Sequence, residues 1–248
     1  MKAALSCLFV IGLCFRLTGQ SVVNYNDQYN VFTELLEQHV AENGNVNYRG
    51  FIKEKPKFEK FLEFLSQNKV PDKASKEEKL VYWINCYNAF TIKLIVDHYP
   101  LERITDLHPL LYIPGFNTVW HEEFFKIGGE AFSLDRIEHE ILRKEFDEVR
   151  IHFAINCASR SCPNLRNEAY YANKLEVQLD DQAKRFMNDE TKNVLSKNQL
   201  ELSKIFKWFE SDFDDAGGLI TFIQPYVSIP ISKSAKISYL SYDWSLNE

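Results

Sequence analysis

At 248 residues, 45% of them hydrophobic, the chain is long enough to bury a full core and suits one large domain. Its formal net charge of -6 argues against nucleic acid and anionic membrane surfaces as partners. No internal repeat, low-complexity tract or run of like charge interrupts it, which sets aside solenoids and disordered tails.

The start of the chain reads as an export signal. Lys2 precedes an apolar run over residues 3–15, and Arg16-Leu17-Thr18-Gly19 leads to the polar Gln20, so residues 1–19 are predicted to be removed from a secreted or periplasmic protein. The run is shorter than the roughly 20 residues that cross a bilayer, so no transmembrane segment is expected. A lipoprotein would need a small residue before Cys14, where Leu13 stands. Cleavage leaves 27 basic against 35 acidic residues, a net charge of -8, and three cysteines: Cys86, Cys157 and Cys162. An odd number in an oxidising compartment leaves at least one thiol free or paired outside the chain.

Residues 29–40 carry Val31, Phe32, Leu35, Leu36 and Val40 at helical spacing, ended by Asn43-Gly44-Asn45. A short extended piece over 46–48 follows, then a second amphipathic helix over 57–65, entered through Pro56 and built on Phe58, Phe61, Leu62 and Leu65. Residues 79–99 are apolar almost all round and predict a central helix stopped by Pro100. Its wheel turns Asn85 and Asn88 inward and places Cys86 on the arc of Tyr82, Lys93 and Asp97, away from a buried site. Buried amides need partners, so the asparagines either pin a neighbouring loop or orient a catalytic side chain.

Residues 101–132 read as a loop-rich connection punctuated by His108-Pro109, Pro114-Gly115 and Gly128-Gly129. Residues 133–144 predict a helix capped by Ser133, with Glu138 inside the apolar arc of Leu134, Ile137, Ile141 and Leu142 and His139 at its flank. A carboxylate there requires a cation or donors, for which His152, Arg160 and Arg166 are candidates. Residues 151–156 alternate apolar Ile151, Phe153 and Ile155 with His152, Ala154 and Asn156, the pattern of a strand whose end presents Cys157. A long helix over 170–188, a small hairpin joining 194–195 to 200–202, short helical pieces over 205–213 and 219–227, and a last strand over 236–244 complete the reading.

Three chemistries use the cluster. Cys157 can serve as a nucleophile if a neighbouring His lowers its pKa and the amides of residues 158–162 hold an oxyanion. Cys157 and Cys162 with one or both of His139 and His152 can bind zinc, although the four-residue gap between the cysteines is wide and no second pair exists. The bland reading is a Cys157–Cys162 disulfide clamping the turn, with His152 and Glu138 a satisfied buried pair. Ser159, Arg160 and Arg166 offer hydroxyls and forked donors for an anionic group, or else neutralise internal acids. His39, His98, His108 and His121 have no partner spacing and read as surface or loop residues.

Five blocks carry a resemblance: residues 82–89 (YWINCYNA), 133–139 (SLDRIEH), 150–154 (RIHFA) with Asn156-Cys157, 161–163 (SCP) with Leu165-Arg166, and 242–247 (YDWSLN). In this order the chain resembles the family called domain of unknown function 547, with Asn85, Asn88, Glu138, His139, His152, Cys157 and Cys162 on its motif positions. The resemblance implies a family core over 75–248, with residues 20–74 as a helical segment packed on it. Glutaredoxin-like or signalling modules fused to some relatives hint at thiol chemistry by association alone.

The sequence thus predicts an exported α+β protein, a mostly helical single domain around a small β-sheet. The working expectation is a thiol-dependent hydrolase or acyl transferase. Cys157 is its nucleophile and His139 or His152 its base; Glu138, Asn85 and Asn88 orient it, and Ser159, Arg160 and Arg166 hold a small-molecule or peptide ligand by an anionic group. The competing expectation is a non-catalytic scaffold holding the disulfide. No cofactor motif is present.

Overall fold

The computed structural model describes residues 23–113 and 116–248; the signal reading of residues 1–19 lies outside them. Helix α1 (Tyr25–His39) starts where the Asn24 side chain accepts from the Asn26 amide, and buries Tyr29, Phe32, Leu35 and Leu36. Residues 46–48 were expected to be extended. Val46 does bridge Val40, but Tyr48 already opens a short helix, α2 (Tyr48–Lys53), whose Gly50 passes so close to His39 that an added Cβ would lie 2.2 Å from the ring. Pro56 enters α3 (Lys55–Gln67), and Phe61 stacks on Phe32 at 4.5 Å.

The central helix, α4 (Lys76–His98), opens with a reciprocal capping box between Ser75 and Glu78. Every residue from Leu80 to Ile92 is buried. That corrects the placement of Cys86, which is fully buried: α4 is packed on all sides, so the arc holding Cys86 and Tyr82 is core as well.

The loop-rich connection contains a hairpin that the pattern did not reveal. Strands β1 (Phe125–Ile127) and β2 (Glu130–Phe132) pair antiparallel about Gly128 and Gly129, whose φ angles of 61° and 87° suit the tight turn. Ser133 then accepts from the Arg136 amide at 3.1 Å, as expected of a cap. The helix it starts is π-helical over Arg136–Leu142 and continues as one turn, α5 (Arg143–Glu145).

The predicted strand over 151–156 is instead a single helical turn, α6 (Ile151–Ala154), leading into an extended Ile155. The alternation implied one polar face, yet His152, Ala154 and Asn156 are buried along with their apolar neighbours. Six residues buried on both sides carry too little periodic signal to choose between helix and strand. Helix α7 (Leu175–Met187) begins later than its apolar pattern, because the backbone of Tyr170 pairs with Asn85 and the Tyr171 amide with Gln178.

Strands β3 (Val194–Leu195) and β4 (Gln199–Leu202) form the expected hairpin. Three short helices, α8 (Ile205–Trp208), α9 (Glu210–Asp215) and α10 (Leu219–Ile223), precede β5 (Lys236–Tyr239), which adds parallel to β4. Among the described residues two small sheets therefore sit within a mostly helical domain, and neither carries the Cys157 stretch. Among the described residues no helix is long and apolar enough to cross a membrane.

The core has two clusters. The larger gathers α1 to α4, the β1–β2 hairpin and the π-helical segment; the smaller gathers Phe153, Phe186, Phe206 and Phe213 with the β3–β5 sheet. Helix α6 belongs to both, with Ile151 and Ala154 in the first and Phe153 in the second. The C-terminal residues run back along the 158–161 turn: the Arg160 amide donates to Ser245 O at 2.8 Å and the Asp243 amide to Ser161 Oγ at 2.8 Å.

Candidate functional site

A cleft of about 920 Å³ draws its lining from both clusters. Its chemistry starts at the turn after α6. Asn88 on α4 donates to Ala154 O and accepts from the Asn156 amide, both at 2.9 Å, while Asn156 donates to Pro163 O at 2.7 Å and accepts from the Ala158 amide at 2.8 Å. Ala158 is held at a φ of 61°, an uncommon conformation for a residue with a Cβ. The turn that presents Cys157 is thereby fixed.

The Cys157 sulfur lies 3.2 Å from Ser159 Oγ and 3.4 Å from Tyr242 Oη, and the Cys157 amide donates to Cys162 Sγ at 2.9 Å. The neighbouring Cys162 thiol, with help from Ser159 and Tyr242 and against the effect of burial, lowers the Cys157 pKa from its usual 9 to about 7. Burial drives Cys162 the other way, so the two thiols divide into a thiolate and a proton-bearing partner. Cys86, Cys157 and Cys162 are all free, which corrects the disulfide expectation. No hydrogen bond joins Cys157 to a histidine, so its activation has a different source from the one expected.

Glu138, on the π-helical segment, accepts from Tyr87 Oη at 3.1 Å. Burial raises its carboxyl to about pKa 7 despite that bond. The donor comes from α4, not from His152, Arg160 or Arg166.

His152 lies face to face with Phe209 at 4.0 Å and binds Asp212 Oδ2 through Nε2 at 2.8 Å. Arg143 grips the same carboxylate with Nε at 2.7 Å and Nη2 at 2.6 Å. Asp212 can only accept, so the proton of neutral His152 sits on Nε2 and Nδ1 keeps its lone pair. That Nδ1 is buried and has no partner. Burial lowers the His152 pKa in spite of Asp212, which keeps the ring neutral.

The third Arg143 nitrogen, Nη1, donates to His139 Nδ1 at 2.8 Å. His139 therefore directs Nε2–H toward Asp135 at 3.7 Å, and His121 Nε2 reaches the same Asp135 oxygen at 3.4 Å. His108 and His121, read as surface or loop residues without partners, sit in loop and turn segments that line this cleft, and so do Asp135, Arg143 and the aromatic residues Trp120, Trp208, Tyr242 and Trp244. Asp212, on α9, and Arg143 were missed altogether. The one signal for the aromatic wall was the Tyr242-Asp243-Trp244 ending.

The remaining candidates lie elsewhere. Asn85 and Asn88 hold backbone at Tyr170 and at residues 154–156 and do not line the cleft. Ser159 touches the thiol. Arg160 is exposed and lines a separate polar cavity of about 470 Å³. Arg166 is occupied by Glu168 and Asp181, the neutralising role, so neither arginine offers an anion a hold inside the cleft. Among the described residues no group of three or more His, Cys, Asp or Glu side chains is placed to hold a metal ion.

Fold and site together define a mostly helical domain with a thiol-bearing cleft at the junction of two hydrophobic clusters. Residues 71–187 match the family described as "Protein of unknown function, DUF547", and that part of the chain is a member of the family. Searches of curated proteins and of solved structures gave no match.

Proposed function

We propose that the cleft is the active site of a thiol-dependent acyl-transfer enzyme, a hydrolase or transferase. The observation that supports it best is the convergence of two displaced groups. A thiol lowered to about pKa 7 and a carboxyl raised to about pKa 7 face one cavity. Near neutral pH one is available as nucleophile and the other as proton donor.

In the proposed cycle the Cys157 thiolate attacks the carbonyl carbon of an acyl substrate. The bond to the leaving group breaks as Glu138 supplies its proton, leaving a thioester on Cys157. His152 then removes a proton from water or another acceptor through Nδ1, the acceptor attacks the thioester, the thiolate departs, and the proton held by His152 passes through solvent to Glu138, which restores both groups. Asp212 fixes the His152 tautomer and Arg143 fixes Asp212, the orienting logic of a catalytic triad applied to the second step. His152 acts on the acceptor in this scheme, which fits the lack of a direct bond between imidazole and thiol.

Alkylation of the native protein with iodoacetamide across pH, followed by mass spectrometry, tests the proposal. Cys157 is expected to label with an inflection near 7, ahead of Cys86 and Cys162. A Cys157 that labels no faster than an ordinary thiol until pH 9 overturns the nucleophile and leaves a binding module.

We also propose export directed by residues 1–19, supported by Lys2 and the apolar run after it. The mass of the mature chain is expected to place its first residue at Gln20, and retention of Met1 after expression in a secreting host refutes it.

A further inference from the structure

The wall of the cleft beyond the thiol remains unused by that cycle, and it has a distinct chemistry. Trp120 and Trp244 lie 5.5 Å apart, Trp208 stacks on Trp244 at 5.7 Å, and Tyr242 joins both, so three of the four tryptophans of the chain border one cavity. Burying aromatic faces in the core is the ordinary use of such residues, yet Trp208 is 46% exposed.

Beside this wall stands Asp135. Its nearest cationic or donor partners are the imidazoles of His121 and His139 at 3.4 and 3.7 Å, longer than hydrogen bonds. His121 directly follows Trp120 in the turn Val119–His121, and Asp135 lines the same cleft as the indoles. Arg143, which also lines the cleft, pairs with Asp212. A further group among the cleft-lining residues lacks a partner and has no part in that cycle: Trp120 Nε1, a buried donor.

From a carboxylate held only by two long imidazole contacts, lining the same cleft as three indoles, we infer that this part of the cleft is a subsite for an alkylammonium group, carried by the substrate or by the acceptor of the proposed reaction. Aromatic faces attract a cation through their quadrupoles, and the effect grows when water is displaced. A carboxylate at the rim adds the counter-charge. The same arrangement repels anions, which agrees with Arg160 and Arg166 lying outside the cleft. The inference depends on the cleft being the functional site and leaves the role of the thiol free.

The test is a titration of indole fluorescence with lysine amide and with its uncharged isostere norleucine amide, whose α-amine is acetylated in both. Cys157→Ser carries the binding measurement, so a failed nucleophile and a failed subsite give different results. Lysine amide is expected to quench saturably and to bind about tenfold more tightly than norleucine amide. Asp135→Asn should abolish that preference while keeping the circular dichroism of the parent. Trp208→Leu, at an exposed position, should weaken the cation and spare the fold. Equal binding of both probes, saturable binding that Asp135→Asn leaves unchanged, or no saturation by the cation overturns the inference.

Discussion

Glu138 shows how far a single residue could be read. Its place inside an apolar arc marked it as a misfit, but Tyr87 belongs to a helix fifty residues earlier, and only packing brought them together. The consequence is measurable. The carboxyl is lifted from 4.5 to about 7, so the folded chain keeps a proton that the unfolded chain sheds within that interval. Stability from this group therefore falls as pH rises from 4.5 to about 7. Glu138→Gln, which has no proton to lose, is expected to raise Tm relative to the parent above pH 7 and to change it little below pH 4.5; a difference independent of pH would show that burial of the charge is not the cause. Tyr242→Phe removes one donor from the Cys157 sulfur. The alkylation inflection should then move from about 7 toward the ordinary 9, at a stability cost of about 1 kcal/mol. His152 offers a spectroscopic test of the same kind. Nitrogen NMR should show its neutral form protonated at Nε2, and Asp212→Asn should mix the tautomers.

Elements were legible where periodicity was long. Helices α1, α3, α4 and α7 each place several large apolar residues on a face or all round, and all four were visible in the pattern. The short pieces were not. Helix α6 mimics a strand because four of its residues cannot reveal a period, and the π-helical segment depends on i to i+5 bonds that no residue type announces. Asn88 shows how one element corrects another. Its amide serves both the carbonyl that ends α6 and the amide that begins the thiol turn. Asn88→Ala leaves two buried backbone groups without partners, for a predicted loss of about 2–4 kcal/mol in urea unfolding. Asn88→Asp keeps the acceptor only and should recover part of that loss at low pH, where the carboxyl can donate. The pinning role of both asparagines accounts for their burial without any part in the chemistry.

Across the whole molecule, the cleft exists because two hydrophobic clusters meet along α6. Phe153 is fully buried and lies 4.9 to 6.1 Å from the rings of Phe186, Phe206, Phe213 and Phe222. Its neighbours Ile151 and Ala154 pack in the other cluster, so the two should unfold together. Phe153→Ala is expected to cost about 3–5 kcal/mol, with coincident transitions by indole fluorescence and far-ultraviolet circular dichroism. Separate transitions would mean that the clusters fold independently. The family match over residues 71–187 supplies Cys157, Glu138 and His152, while Asp212, Trp208, Tyr242 and Trp244 lie beyond it. The site is therefore assembled from matched and unmatched parts of the chain.

By itself the sequence determined the long helices, the helical majority and the β3–β4 hairpin, because each rests on local periodicity or turn residues; the sheet it placed at the Cys157 stretch is not there, because six residues buried on both sides carry no usable period. Tertiary structure alone decided which groups meet: Asp212 with His152, Tyr87 with Glu138, Tyr242 with Cys157. Those pairs are 51 to 85 residues apart in the chain. At such separations pairing is set by how the clusters pack, and no local pattern records it.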